Sequence, residues 1–146
     1  MTVLLAILAL LAVGVGCGLG AVARWGIHEG FSKLVSSRGS SSILVEVVPW
    51  PTVIANVLAC FVLGIVVTRI GAEPTGSLRY LFLLLGAGLC GGMSTLAGAA
   101  RDVVQLARRG TPVLAVGYLL VTVAVGMGAL WVGVLVTQGT GATGGA

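Results

Sequence analysis

Thirteen residues near the middle of the chain, GLCGGMSTLAGAA from Gly88 to Ala100, place helix-weakening and polar residues inside an apolar segment. A glycine inside a helix costs roughly 1 kcal/mol relative to alanine, and unwound backbone is tolerated in a bilayer only where protein or a cavity satisfies it. Breaks of this kind expose carbonyl oxygens that coordinate cations such as Na⁺. The stretch predicts either a helix break that holds an ion or glycines used for close packing, and spacing alone leaves both open.

Uncharged polar residues recur at helical spacing in the neighbouring apolar segments. With the small residues that share their faces, they are Asn56, Cys60 and Gly64 in one segment and Tyr118, Thr122 and Gly126 in another. Residues four positions apart lie on one face of a helix. A hydroxyl there most simply predicts a packing hydrogen bond, whereas the amide of Asn56 is costly to bury without a partner. Amide and hydroxyl donors can also replace the water around a small anion.

The composition decides which elements position these residues. The 146-residue chain is 58% hydrophobic and 8% charged, with a mean hydropathy of +1.15, and a helix needs about 20 apolar residues to cross a bilayer. Four uncharged runs meet that length: Thr2 to Ala23, Trp50 to Thr68, Tyr80 to Ala100 and Thr111 to Gln138. We predict an all-α integral membrane protein with one domain, 1–146. Its helices are expected at about 2–25, 49–69, 79–107 and 112–137, the third broken near its middle, before a flexible tail at 138–146.

Basic residues are divided unevenly between the two sides of this predicted bundle. The first and third connections carry six of them: Arg24, Lys33, Arg38, Arg101, Arg108 and Arg109. The second connection, on the side of both termini, carries Arg69 and Arg79. The positive-inside rule therefore predicts that the first and third connections are cytoplasmic and both termini external. The net charge of +4 thus indicates membrane orientation and not a nucleic-acid partner.

Several function classes are disfavoured by the residues that the predicted spans lack. No Asp, Glu, Lys or Arg lies at the centre of a span, and such groups mark proton relays and coupled transport. A small-solute exporter is therefore a weaker alternative. The three cysteines, Cys17, Cys60 and Cys90, have no metal-ligand spacing. The sequence also offers no nucleophile paired with a base, so it gives no indication of an enzyme.

Four stretches, taken in order along the chain, resemble the CrcB/Fluc family of fluoride channels. They are GLGAVARW (Gly18 to Trp25), PWPTVIANVLACFVLG (Pro49 to Gly64), GLCGGMST (Gly88 to Thr95) and GYLLVT (Gly117 to Thr122). No single motif is decisive. Together they cover all four predicted helices in the family's order and spacing.

The resemblance implies a passive, selective fluoride channel in the cell membrane that lowers cytoplasmic fluoride. Two four-helix subunits would pack antiparallel as a dual-topology dimer, with two pathways along the interface. A structural Na⁺, not transported, would be held by main-chain carbonyls at Gly91 and Ser94. The residues implied for the fluoride pathway are Asn56, Thr95, Tyr118 and Thr122. Arg24 would lie at the mouth.

The sequence departs from the family directly after the break. The family has two phenylalanines where this chain has Leu96 and Ala99, and the electropositive edges of those rings face fluoride. Together with the uneven basic charge, this loss favours one half of an antiparallel heterodimer. A second CrcB-like subunit, inserted the opposite way, would supply the missing rings. The alternative is a non-conducting structural or regulatory subunit of such a channel.

Overall fold

The computed structural model describes residues 2–38, 48–71 and 75–142, and within these ranges all regular structure is helical. The elements are α1 (Thr2–Arg38), α2 (Trp50–Ile70), α3 (Ser77–Phe82), a π-helical segment (Leu83–Cys90), α4 (Gly91–Met93), α5 (Leu96–Arg108) and α6 (Pro112–Ala142). Four stretches are long and apolar enough to cross a membrane: Val3–Ser37, Trp50–Ile70, Ser77–Arg108 and Pro112–Gly139. The predicted all-α class with four membrane helices is confirmed.

The first and last helices run further than the sequence predicts. We expected the first to end near residue 25, but α1 continues to Arg38. No proline interrupts this extension, and Lys33 Nζ lies 3.2 Å from Glu29 Oε1 one turn earlier, a spacing that supports a helix. The last helix reaches Ala142, so the expected tail at 138–146 is helical through residue 142, and residues 143–146 lie outside the described part.

Glycines bring α1 against the third span at short range. A Cβ added at Gly16 or Gly20 would overlap backbone of that span, 2.8 Å from Gly88 Cα in the case of Gly16. This is the close approach that small residues four apart allow in membranes. Gly14 and Gly18, also four residues apart on α1, have no neighbour within 4 Å of an added Cβ. Of these two glycine pairs, only Gly16 and Gly20 form a close contact within the described chain.

The second close pair is α2 with α6. A Cβ added at Gly64 would lie 3.1 Å from the carbonyl carbon of Leu130, and one added at Gly126 would lie 3.3 Å from Cys60 Sγ. The face that carries Asn56 therefore meets the face that carries Thr122, as their helical spacing indicates. This contact brings Asn56 and Thr122 together beside the break.

The third span departs from α-helical geometry in two places, and the second of these, the break, follows the paired glycines Gly91 and Gly92. Leu83–Cys90 is π-helical, whereas Ser94 (φ −78°, ψ 138°) and Thr95 (φ −140°, ψ 112°) are extended. Gly92 is helical and packs, because an added Cβ would lie 2.7 Å from Cys17 Cα. The break and the close packing that the sequence left as alternatives thus both occur, at neighbouring residues.

Candidate functional site

The break is held open by the side chain of Asn56. The Thr95 N–H donates to Asn56 Oδ1 over 3.2 Å, and Thr95 Oγ1 in turn caps α5 by accepting the Gly98 N–H at 3.1 Å. Asn56 is only 8% exposed. Its amide therefore has the partner that burial requires, and that partner is the unwound backbone itself.

These two bonds decide which polar groups can still donate. With its oxygen used by Thr95, Asn56 retains both amide N–H donors, and Thr95 retains its hydroxyl hydrogen. Thr122 Oγ1 donates to Tyr118 O at 2.7 Å, and the Tyr118 hydroxyl donates to Asp102 Oδ2 at 3.1 Å. Among the four residues predicted for the pathway, Asn56 and Thr95 are therefore the ones whose donors face no described acceptor.

An inner cavity of about 310 Å³ lies beside the break. Its polar floor is formed by Asn56, Ser94, Thr95 and Thr122, and its rim includes Leu119, Val123 and Met127. Floor and rim differ sharply in burial, since Thr122 is 7% exposed and Val123 is 59% exposed. The cavity is thus a polar pocket that opens on an apolar outer surface of the bundle.

An outer cavity of about 440 Å³ lies on the other side of Thr95. Its lining consists of Arg24, His28, Thr52, Thr95, Gly98, Arg101, Asp102 and Gln105. Thr95 belongs to both linings, so the break separates the two cavities by one residue. Arg24, predicted at the mouth, lies in the charged cavity and not at the polar floor of the inner one.

Tyr118 is placed differently from the other predicted pathway residues. It lines neither cavity and packs in an apolar cluster with Val53, Leu106 and Ala115. Its hydroxyl instead holds the carboxylate of Asp102. Tyr118 is therefore linked to the outer cavity through Asp102. The role of Tyr118 in ion passage stays a prediction.

Two main-chain carbonyls lose their helical donors at the break. In an uninterrupted α-helix the Thr95 N–H would donate to Gly91 O, and the Gly98 N–H would donate to Ser94 O. Here both N–H groups are taken by side-chain oxygens, Asn56 Oδ1 and Thr95 Oγ1. Gly91 and Ser94 are the two residues implied for Na⁺, and released carbonyls are the donors that Na⁺ uses at broken helices. The residues present fit such an ion.

Side-chain metal ligands do not offer an alternative at this point. Within the described ranges, no three His, Cys, Asp or Glu side chains are grouped so as to hold a metal ion. A cation at the break would therefore depend on main-chain oxygens, whose number and geometry differ from those of a carboxylate or thiolate site.

The two positions where the family has phenylalanine are partly described. Ala99 is buried at 5% exposure and lines the inner cavity. Leu96 begins α5, but its side chain lies outside the described part of the structure. Of these two positions, Ala99 is therefore the one that the structure places at the inner cavity.

The sequence reasoning missed the outer cavity. Gly98, Arg101, Asp102 and Gln105 are spaced 3, 1 and 3 residues apart, which is one face of a helix. Arg24 and His28 are four residues apart, so they share one face of α1. That signal is present in the sequence, but Arg101 was counted only as a basic residue of the third connection, and Asp102 and Gln105 were given no role.

Residues 11–134 match the family model described as CrcB-like protein, Camphor Resistance (CrcB). A protein named fluoride-specific ion channel FluC from Pseudomonas putida (strain W619) is 30% identical over 115 residues, 79% of this chain and 82% of that protein. Fluoride-specific ion channel FluC 1 from Streptomyces avermitilis is 37% identical over 93 residues, 63% of this chain and 73% of that protein.

A third relative matches over a longer stretch. The fluoride-specific ion channel FluC from Leptospira interrogans is 28% identical over 125 residues, 86% of this chain and 91% of that protein. The family match includes the break, both cavities and all four membrane spans apart from the helix ends. The chain is a multi-pass membrane protein that belongs to the CrcB family.

Proposed function

We propose that the chain is a subunit of a fluoride channel, and that it conducts as one half of an antiparallel heterodimer. One observation carries the first part. Two cavities meet at Thr95 within a membrane span, and the hydrogen-bond donors left uncommitted there belong to Asn56 and Thr95. The names of the family relatives support fluoride as the ion.

The chemistry of the donors suits a small, strongly hydrated anion. Amide and hydroxyl N–H and O–H groups can replace the water that fluoride loses, without a fixed positive charge that would hold it. Fluoride would pass between the outer and inner cavities beside Thr95. Passage needs no proton-coupled carboxylate, so conduction would be passive.

The inner cavity supports a second subunit. A polar floor that opens among exposed apolar residues would face lipid in an isolated chain, and unsatisfied polar groups in hydrocarbon are costly. A second four-helix subunit packed over the rim at Leu119 and Met127 would remove that cost. The pathway would then lie between the two subunits.

Two features favour a different chain as the partner over a second copy. The basic residues of the two sides are divided six to two, which favours one membrane orientation, whereas an antiparallel homodimer needs both. Ala99 also presents no aromatic edge to the inner cavity. A related subunit of opposite orientation would supply both the reverse topology and the rings.

A structural Na⁺ is part of this proposal. The released carbonyls of Gly91 and Ser94 would hold it, and its positive charge would stabilise the unwound backbone. The protein's own contribution is to keep these oxygens free, because Asn56 and Thr95 take the N–H groups that would otherwise occupy them.

A non-conducting subunit is the second candidate, and Ala99 is the observation that favours it. If the lost ring ends conduction, the chain would serve to fold, orient or regulate a conducting partner. A small-solute exporter has less support, since Asp102, the carboxylate near the break, already accepts the Tyr118 hydroxyl.

Growth under fluoride tests the proposal in cells. A bacterial strain that lacks its own fluoride channels is transformed with this chain, with a second family member from the same source, or with both. We expect resistance from the pair, and a loss of that resistance with Asn56→Asp. Resistance that is unchanged by Asn56→Asp would instead support the non-conducting role.

A further inference from the structure

Two arginines and the histidine of the described chain meet in the outer cavity. Arg24 and His28 lie one turn apart on α1, and Arg101 lies on α5. Arg24 is half-buried and Arg101 is exposed. A guanidinium group is always charged and presents a planar fork of donors that matches the oxygens of a phosphate-type anion. The cavity thus places two such forks around one volume.

The residues that line the outer cavity carry a net positive charge even when the carboxylate of Asp102 is counted. Arg24 and Arg101 contribute +2 and Asp102 contributes −1, so the described lining carries +1, or +2 when His28 is protonated. The Asp102 carboxylate accepts the Tyr118 hydroxyl through Oδ2 at 3.1 Å. Within the described ranges neither Arg24 nor Arg101 forms an ion pair with Asp102, so the guanidinium groups retain donors for an anion from outside.

The size of the cavity suits an anion with several oxygens. About 440 Å³ exceeds many times the roughly 30 Å³ that one water occupies in the liquid. Thr52 and Gln105 add neutral donors to the lining. A tetrahedral oxyanion can use both guanidinium forks and a neutral donor at once, whereas a monatomic halide has no such geometry to match.

We propose that the outer cavity is a binding site for a phosphate-type oxyanion, held between Arg24 and Arg101 with Gln105 as a neutral donor. The oxyanion is either free inorganic phosphate or sulfate, or the phosphate of a lipid headgroup, since both present the same oxygens. Binding does not depend on conduction. Competition between this oxyanion and fluoride for the cavity rests on the proposed function.

The imidazole of His28 gives a direct readout. His28 is the only histidine of the chain and lines the cavity. Its NMR signals therefore report on the site in full-length protein labelled at histidine and held in dodecyl maltoside micelles, which contain no phosphate. We expect sodium phosphate and sodium sulfate, titrated at constant ionic strength with sodium chloride, to move these signals to saturation.

Substitutions on one helix provide the matched comparison. Arg101→Gln should weaken the apparent affinity for phosphate by roughly tenfold or more, the effect of losing a charged hydrogen-bond partner. Arg108→Gln removes the same charge from the same helix, but Arg108 does not line the cavity, so the affinity should not change. Arg101→Lys, which keeps the charge and loses the fork, should fall between them. Arg24→Gln supplies a second test if Arg101→Gln does not fold.

The titrations distinguish a dissolved anion from a lipid headgroup, and both from the absence of a site. A non-saturating shift, or equal affinities in wild type, Arg101→Gln and Arg24→Gln, would overturn the site. Saturation by free phosphate supports the dissolved anion. If phosphatidylglycerol added to the micelles moves the His28 signals and abolishes the response to free phosphate, the lipid headgroup is the ligand. Saturation in a chain that fails to conduct fluoride in any pairing would reject the channel and keep the oxyanion site.

Discussion

Asn56 carries two roles that one pair of substitutions can separate. Its oxygen satisfies the Thr95 N–H at the break, and its amide hydrogens remain available to an anion. Asn56→Ala removes both roles. Asn56→Asp keeps an oxygen that accepts from Thr95, removes the amide donors and, when ionised, introduces a negative charge beside the inner cavity.

The expected magnitudes differ for the two variants. Asn56→Ala leaves a buried N–H without its partner, which costs about 1–3 kcal/mol of stability. Asn56→Asp avoids that cost, but a carboxylate about 5 Å from fluoride at an effective dielectric constant near 20 adds about 3 kcal/mol of repulsion. Since about 1.4 kcal/mol is a factor of ten in rate, fluoride flux should fall by about two orders of magnitude.

Two measurements on the same preparations check this separation. Fluoride efflux from liposomes that contain each variant with a second family member is followed with an ion-selective electrode. Stability is measured as the fraction of the same preparation that remains monodisperse in detergent after heating. Asn56→Asp should match wild type in stability and lose flux, whereas Asn56→Ala should lose both. An Asn56→Asp variant that conducts at the wild-type rate would refute the role of Asn56 in the pathway.

Three further substitutions test other parts of the account. Gly92→Ala forces a Cβ to within 2.7 Å of Cys17 Cα and should lower the stability measured by heating in detergent by about 1–3 kcal/mol. Gly18→Ala places its Cβ in open space and should leave stability unchanged or raise it. Equal effects of the two substitutions would contradict the packing. Tyr118→Phe removes the donor to Asp102 and should cost about 1.5–3 kcal/mol in the same assay, and Tyr80→Phe is the control; no difference between them would show that the bond is unimportant. Ala99→Phe restores a ring to the inner cavity and should raise fluoride efflux from the chain alone by up to about tenfold, whereas the exposed Ala100→Phe should not. An unchanged rate with Ala99→Phe would argue against the importance of the ring.

Much of the fold could be predicted from the sequence, because membrane spans depend on run length and hydropathy. The length of α1 could not be predicted from hydropathy, since its last part is polar and is supported by the Glu29–Lys33 pair. The break was predicted within Gly88 to Ala100, and the residues that unwind, Ser94 and Thr95, lie inside that stretch. Glycine spacing cannot show that Gly92 is needed against Cys17, whereas Ser94 and Thr95 are the residues that unwind.

The candidate site was predictable where it depended on helical spacing and unpredictable where it depended on pairing between helices. The shared face of Asn56 with Cys60 followed from their separation. The bond from the Thr95 backbone to Asn56 joins residues 39 positions apart, and no local pattern indicates it. The same holds for Tyr118, whose hydroxyl contacts Asp102 and not a cavity.

One measurement decides whether this chain is half of a fluoride channel. Fluoride efflux is compared between liposomes that contain the chain alone and liposomes that contain it with a second family member from the same source. We predict fluoride-selective efflux with the pair, no chloride efflux, and little fluoride efflux from the chain alone. Rapid efflux from the chain alone would show that the lost rings are dispensable and the partner unnecessary. The absence of fluoride efflux from both preparations, with the proteins inserted and folded, would contradict the channel itself.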